Sequence, residues 1–423
     1  MVRGAKEGRL NVMSLRFEPR VAKLFVIEDR EDVIPFIIRI KGVKTSKARS
    51  LYLVALDSSW SMDGAKIFFA KEAIIQMIGS LDPEDYIVVY SFCGKVSKIV
   101  AMKKIENVEE MAKQVADVRL CGGTNIYKVL EHMLEDTVQL NTINRNGEAG
   151  RHIDSVKMIL VTDGNPTVGI KDENRIIEMA ERVGKNISLS LVVGIGKDYN
   201  ERLLMGIASK TNGVFEHLSD PTKMPVLIEK MMAKYRELSA KNVKLFIRPA
   251  PGIGVFVYNR PAYNVKGGVE IEVGDVYGDE EISVVGELIL PPQKRGMVFL
   301  ATITASYDDA EGKHVETEVT SLSIPCIRSV SPEDVEVDER VFKEVNLVRI
   351  ATALAKDVYG ELSADKLEKL VEELANMTLT IDRRDLYSRT IDLKSQLEKE
   401  GLSQDVVKKI IALISKILSG RYE

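Results

Sequence analysis

The spacing of apolar residues changes character three times along the 423-residue chain, and each change marks a different architecture. Near the N-terminus Ile34, Phe36, Ile38 and Ile40 alternate with Val33, Pro35, Ile37 and Arg39. Much later Val269, Ile271 and Val273 alternate with Glu270 and Glu272. A period of two predicts strands. Further short strands are predicted at Asn242–Arg248, Ile282–Leu290, Met297–Tyr307 and His314–Ile324, separated by Pro/Gly or acidic turns, which together suggest an antiparallel β-sandwich.

From Ser50 to about Leu238 the pattern is different: short β-rich apolar runs alternate with helical stretches, as in a mostly parallel sheet covered on both faces. The predicted strands are Leu51–Leu56, Tyr86–Phe92, Val96–Ala101, Lys157–Thr162, Ser188–Gly194 and Gly213–Leu218. Between the first two, Gly64–Ser80 places Ile67, Ala70, Ile74, Met77 and Ile78 on one helical stripe. Ser219-Asp220-Pro221 reads as a cap and first-turn proline opening a last helix to about Leu238. Asn141–Ser155 is the one long irregular stretch in this unit.

Met13–Ile40 has sandwich character but too few strands to stand alone, so it is expected to complete the later sandwich, with the α/β unit inserted into it. After Ser331-Pro332 helical stripes take over, for example Val341, Val345 and Val348, or Val407, Ile410, Ile414 and Ile417. The expected order is therefore N-terminal sandwich strands at 8–48, a doubly wound, Rossmann-like α/β domain at 49–239, the rest of the sandwich at 240–330 and a helical C-terminal domain at 331–423.

Composition narrows the function classes. Charged residues make up 29% of the chain yet nearly cancel, with a formal net charge of -4, so no basic field invites nucleic acid or an acidic membrane surface. No apolar run approaches the roughly 18 residues of a membrane span, and the opening MVRGAKEGRLNVMSLRFEP lacks a signal-peptide core. The only cysteines, Cys93, Cys121 and Cys326, form an odd set at no metal-ligand spacing. That usage predicts buried free thiols, no disulfide and a reducing compartment, and with the opening segment and the lack of a membrane span a soluble cytoplasmic protein is expected. Many Lys and Glu with few Gln and Cys match thermophile composition.

Candidate chemistry gathers in three loops. The strand ending at Leu56 runs straight into Asp57-Ser58-Ser59-Trp60-Ser61-Met62; Cys121-Gly122-Gly123-Thr124-Asn125 precedes a helix; and the strand KMILV ends in Thr162-Asp163-Gly164. In an open parallel sheet the ligand site lies at the carboxyl ends of the strands. A hard cation such as Mg²⁺ takes about six oxygens and keeps several waters, so two hydroxyls two residues apart on one loop serve it without crowding. Asp57 and Asp163 would balance the ion's charge while Ser59, Ser61 and Thr124 add neutral oxygens. If the carboxylates act through water, the ion stays electrophilic and seeks an acidic ligand from outside. For any one loop, helix and turn capping by Ser and Asp is the plain alternative.

The set DSSWSM, GGTNIYKVL and LVTDGNP, in this order and at these places, resembles the metal-ion-dependent adhesion site of von Willebrand factor A domains. The resemblance covers Ser50 to about Leu238. It implies that Ser59 and Ser61 bind the metal directly, Thr124 directly or through water, and Asp57 and Asp163 mostly through water. The ion would be Mg²⁺, with Mn²⁺ and Ca²⁺ also open. Where the family usually has a small residue between the serines, this chain has Trp60, either packed on neighbouring loops or forming an aromatic rim that touches a partner. Asp63 is either an outer-sphere charge or a solvated helix-start acid.

Other motifs lead nowhere. Gly194-Ile195-Gly196-Lys197 lacks the earlier glycine of a phosphate loop, and His132, His152, His217 and His314 show no ligand spacing. The metal site offers no evident general base, so no catalytic residue is expected. The whole arrangement is similar to inter-α-trypsin inhibitor heavy chains, COPII coat subunits and prokaryotic proteins of the same domain class. It implies an adaptor or scaffold whose partner is a protein supplying an acidic residue; the alternative is an accessory subunit of a separate ATPase or chelatase-like machine. The oligomeric state stays open at this stage. Because the last helix leads almost directly into the strand at Asn242, metal occupancy is expected to be reported to the sandwich through it.

Overall fold

The computed structural model describes residues 14–43, 45–145, 153–309, 312–328, 336–357, 364–381, 383–401 and 403–422. The predicted starts at residues 8 and 13 and the boundary at Ser331-Pro332 lie outside them. The chain opens with β1 (Leu15–Val21), β2 (Val26–Ile27), β3 (Asp32–Gly42) and β4 (Ser46–Lys47). The α/β unit follows as β5 (Ser50–Asp57), α1 (Ala65–Ser80), β6 (Tyr86–Phe92), β7 (Val96–Lys104), α2 (Val108–Ala116), α3 (Ile126–Arg145), β8 (Ser155–Thr162), α4 (Glu173–Gly184), β9 (Leu189–Ile195), α5 (Glu201–Lys210), β10 (Val214–Leu218) and α6 (Met224–Lys234).

Its six strands lie in the order β10-β9-β8-β5-β6-β7, all parallel except the antiparallel pair β6–β7 at one edge. The central strand β5 is buried along its whole length. Alternate side chains explain why it reads as a continuous apolar run: Tyr52, Val54 and Leu56 pack beneath α1 and α6, while Leu51, Leu53 and Ala55 pack beneath α3, α4 and α5.

Several element ends depart from the sequence reading: β7 runs on to Lys104 and β11 begins at Glu237, and two helices differ as well. Asn141–Ser155 is not irregular throughout, because α3 continues to Arg145 as its apolar stripe runs on from Val129, Leu130 and Met133 to Leu140. Residues 146–152 lie outside the described residues. The last helix stops at Lys234, short of Leu238: Asp220 accepts the Thr222 backbone N–H as its cap, the first turn is a 3₁₀ helix, and by Glu237 the chain is extended. Leu238 serves the core from a strand, 1% exposed.

The remaining strands are β11 (Glu237–Pro249), β12 (Gly254–Val257), β13 (Ala262–Val265), β14 (Gly268–Tyr277), β15 (Glu281–Leu290), β16 (Gly296–Asp309), β17 (His314–Glu316) and β18 (Thr320–Ile327). The single strand predicted over His314–Ile324 is thus two strands. Between them Thr317 bonds to Ala305 through its N–H and its hydroxyl, holding the break against β16.

One sheet runs β1-β3-β15-β12 and the other β13-β14-β11-β16-β18-β2, with β17 on β16 and β4 on β11. They face each other through a shared core that includes Phe36, Ile38, Val284, Leu245, Ile271 and Leu300. Strands before and after the α/β unit therefore share hydrogen bonds, β3 with β15 and β4 with β11.

Four helices follow: α7 (Glu339–Asp357), α8 (Ala364–Thr380), α9 (Arg384–Glu400) and α10 (Gln404–Ser419). They cover the outer face of β3 and β15, burying Ile37 and Val285 against Val341, Val345 and Val348. A last short strand, β19 (Arg421–Tyr422), returns to β15, which the helical stripes did not foretell. On the other side α10 packs along β10, where the Ser415 hydroxyl accepts the Phe215 N–H at 3.1 Å.

The helical layer is pinned to the sandwich by ions as well as apolar contacts. Glu344, fully buried, accepts from Arg39 Nη2 at 2.7 Å and from the Ser283 hydroxyl at 2.8 Å, with Arg383 Nη2 at 3.5 Å. Removing one partner of a buried pair leaves an uncompensated charge, at a cost of about 3–5 kcal/mol. Glu344→Ala is expected to lose stability of that order and Glu344→Gln clearly less, as read by urea unfolding followed by circular dichroism.

Candidate metal centre

Parallel pairing sets Leu56 of β5 beside Val161 of β8, so the two strands end together and release their loops into the same crevice. Asp57, the last residue of β5, is fully buried there. One carboxylate oxygen accepts the Ser59 N–H at 2.8 Å and the other accepts the Thr162 hydroxyl at 2.5 Å. Burial outweighs these bonds and pushes the Asp57 carboxyl up to about 6, with the charge of Asp163 adding in the same direction.

After Ser59 the chain makes a 3₁₀ turn over Trp60–Met62, closed by the Met62 N–H on the Ser59 carbonyl at 3.0 Å. The turn brings the Ser59 and Ser61 hydroxyls to 2.9 Å from each other. The Ser61 hydroxyl donates to Asp163 Oδ1 at 2.7 Å, joining the first loop to the loop after β8. Thr124 arrives from the third loop. Its N–H donates to the Thr167 hydroxyl at 2.8 Å, and its carbonyl accepts the Thr167 N–H at 3.0 Å. Gly123 has φ +81° and leaves room that a Cβ would take from Val168, which permits this turn. Asn125 then caps α3 by accepting the Lys128 N–H.

All five predicted residues thus meet at one crevice, Asp57, Ser59, Thr124 and Asp163 buried and Ser61 at the exposed mouth. Gly164 keeps the space between the loops open: a Cβ there would lie 3.4 Å from Thr124 Oγ1 and 3.8 Å from Ser61 Oγ. Among the described residues no three His, Cys, Asp or Glu side chains cluster in a way that could hold a metal, so the donor set here is hydroxyls plus two carboxylates. That set suits a hard, oxygen-seeking divalent ion.

Three residues to which the sequence reading gave no role of their own complete the surroundings. Thr162 and Thr167 act as described, and only the fold reveals which carboxylate or loop each one meets. The third is Lys66, whose ammonium lies 2.5 Å from Asp163 Oδ2 and 3.1 Å from the Ser61 carbonyl. Its place in the first turn of the helix after Asp-x-Ser-x-Ser is the signal that could have found it. Trp60 stands 65% exposed, touching the neighbouring loop only with its indole edge over Gly122. Asp63 is exposed and accepts the Gly64 N–H, the solvated helix-start acid.

The cysteine reading is corrected: Cys93 and Cys121 form a disulfide, and Cys326 is free and buried. An odd count concealed a pair because sequence spacing says nothing of the fold, which aligns the loop after β6 with the loop before Thr124. The Gly94 N–H reaches the Gly122 carbonyl at 2.8 Å, the Asn125 N–H the Cys93 carbonyl at 2.9 Å, and the Cys121 N–H the Ser58 carbonyl at 2.8 Å. Cysteine usage therefore no longer argues for a reducing compartment.

Residues 53–230 match the family of the von Willebrand factor type A domain, and the chain carries a domain of that class. An uncharacterized protein of Synechocystis is 22% identical over 307 residues, 68% of this chain and 69% of the relative. Inter-alpha-trypsin inhibitor heavy chain H4 of Sus scrofa is 26% identical over 260 residues, 60% of this chain but 26% of its own length. The chain thus spans about a quarter of that heavy chain. Among solved structures, the ArnB paralog VWA2 from Sulfolobus acidocaldarius superposes with a TM-score of 0.68 at 21% identity, over 96% of this chain and 98% of the other. A von Willebrand factor type A protein from Catenulispora acidiphila gives 0.71 at 14% identity, over 91% of each. These share the fold from the sandwich strands to the C-terminal helices.

Two predictions follow from the geometry. The Asp57 carboxyl binds its proton more tightly folded than unfolded, so its contribution is fully present below about pH 4 and is lost as pH rises through about 6. The two protonation states differ by about 3 kcal/mol. In chelator, the wild type should melt higher at pH 5 than at pH 7.5, and Asp57→Asn should lack that component of the gain. Replacing both Cys93 and Cys121 by Ala should lower oxidised-state stability by about 3 kcal/mol through the lost restraint on the unfolded chain, as read by urea unfolding with and without a dithiol.

Proposed function

We propose that the chain is a metal-dependent protein-binding module. Ser59, Ser61 and Thr124 would hold a divalent cation directly, with Asp57 and Asp163 acting through water; Mg²⁺ suits the oxygen set, and Mn²⁺ or Ca²⁺ would use the same oxygens. Bound there, the ion supplies an electrophilic centre for an acidic side chain of a protein partner. Residues 49–239 would be the binding unit, 8–48 with 240–330 the sandwich, and 331–423 the helical domain.

The observation that carries this reading is the convergence of three hydroxyls and two carboxylates at a crevice whose floor is buried and whose mouth, at Ser61 and Trp60, is exposed. The Ser61–Asp163 and Thr162–Asp57 bonds orient the oxygens before any ion arrives. Trp60 would lend apolar area to a partner beside the acidic contact. A binding role, rather than catalysis, agrees with carboxylates already committed to hydrogen bonds. Among the described residues no helix is long and apolar enough to cross a membrane. Intracellular disulfides occur in hyperthermophiles, so a cytoplasmic site remains part of the proposal beside the Cys93–Cys121 bond.

Trp60 is the chain's only tryptophan, so its emission reports directly on the mouth. A glutamate-rich peptide added with Mg²⁺ is expected to shift that emission, chelator to reverse the shift, and Asp57→Ala to abolish it while leaving the circular dichroism spectrum intact. A shift of the same size in chelator would overturn the metal-dependent reading.

A further inference from the structure

We propose that Lys66 is a built-in counter-cation of the crevice, which competes with the divalent ion for Asp163 and sets its affinity well below what the oxygen donors alone would give. The inference rests on the metal reading above and concerns a residue outside the donor set.

The geometry is specific. Both oxygens of the buried Asp163 carboxylate are engaged, Oδ1 by the Ser61 hydroxyl at 2.7 Å and Oδ2 by the Lys66 ammonium at 2.5 Å. The same ammonium donates to the Ser61 carbonyl at 3.1 Å, so it bridges the two loops that would hold the metal. Its stem lies over Gly196, at the end of β9: a Cβ on that residue would come 3.3 Å from Lys66 Cε and 3.4 Å from Nζ. The fold thus leaves a slot in which the lysine rests against the crevice. The Lys66 side chain is 26% exposed while that of Asp163 is fully buried, so the ammonium has a short way out to solvent and the carboxylate has none.

Charge then decides the direction of the effect. Asp57 and Asp163 are the two negative charges available to a divalent ion, and Lys66 already neutralises one of them. An arriving ion must either displace the ammonium from Asp163 or sit close to a like charge, and both lower its affinity. Where the ammonium stays on Asp163, a bound ion is left with less charge compensation and would draw more strongly on an outside carboxylate.

Isothermal titration of the chelator-stripped 423-residue chain with Mg²⁺ and with Mn²⁺ tests this, using Lys66→Gln, Lys66→Met and Lys66→Arg. The two neutral variants should bind metal about tenfold tighter or more, equivalent to about 1.4 kcal/mol. Lys66→Arg keeps the charge and should stay close to wild type. In chelator the neutral variants should melt lower than wild type, because Asp163 loses its partner, and Mg²⁺ should restore more of their stability than of the wild type's. Neutral variants that bind equally or more weakly than a metal-binding wild type would overturn the proposal and leave the metal reading standing. Absence of binding in wild type and neutral variants alike would overturn both. Binding that emerges only in the neutral variants would support both.

Discussion

A carboxylate with no water around it is costly, and the crevice of this domain is organised around that cost. Asp57 closes the central strand, sealed beneath its own loop, with the Thr162 hydroxyl and the Ser59 N–H as its hydrogen-bond donors. Those bonds do not restore what burial removes, and the carboxyl stays pushed up towards neutrality. A second buried carboxylate, Asp163, stands on the adjoining loop and has recruited a lysine and a serine. The parallel pairing of β5 with β8 brings the two carboxylates to one place by ending both strands together. The surrounding sheet, helices and disulfide hold that arrangement in register.

Much of this was legible in the amino-acid sequence, for a physical reason. Strands of a parallel sheet are buried on both faces, so β5, β6, β8 and β9 announce themselves as apolar runs, and the residue that ends such a run is placed at the ligand-bearing edge without further information. Asp57 and Asp163 could be assigned to that edge on this ground alone, and Thr124 by its position ahead of a helix. Hydroxyl spacing within one loop is likewise a local property, which is why Ser59 and Ser61 could be paired. What was not legible depends on where a side chain travels. The place of Lys66 in the first turn after Asp-x-Ser-x-Ser could mark it as near the site, but which groups its ammonium meets, Asp163 and the Ser61 carbonyl, shows only in the fold. Cys93 and Cys121 are unrelated in the sequence until β6 and the loop ahead of α3 lie side by side.

Element ends were less legible than elements. The chain from Pro221 carries a helix and then a strand, and the apolar residues at the changeover, Tyr235 and Leu238, suit either state because both feed the same core. Tertiary contact with Tyr277 and the pairing of β11 with β14 decide it. In the same way, β19 is a two-residue strand after a long helix, and its pairing with β15 is secured by Arg421, whose guanidinium reaches buried Glu280 and the Asp275 carbonyl. Contacts of that range leave no local signature.

The pairing of β4 with β11 sets Ser46 beside Leu238 and Lys47 beside Glu237, so the polypeptide enters and leaves the α/β unit through one narrow doorway. Beyond that doorway β3 finds its neighbour β15 only on the far side of the whole insert. During synthesis β3 therefore emerges well before β15, and the edge that β15 takes has no partner until the insert has been made. Most of the core of the α/β unit comes from contiguous chain, with Tyr277 and, from α10, Ile411 and Ala412 added from beyond it, whereas the sandwich that frames it joins strands from both sides of the insert.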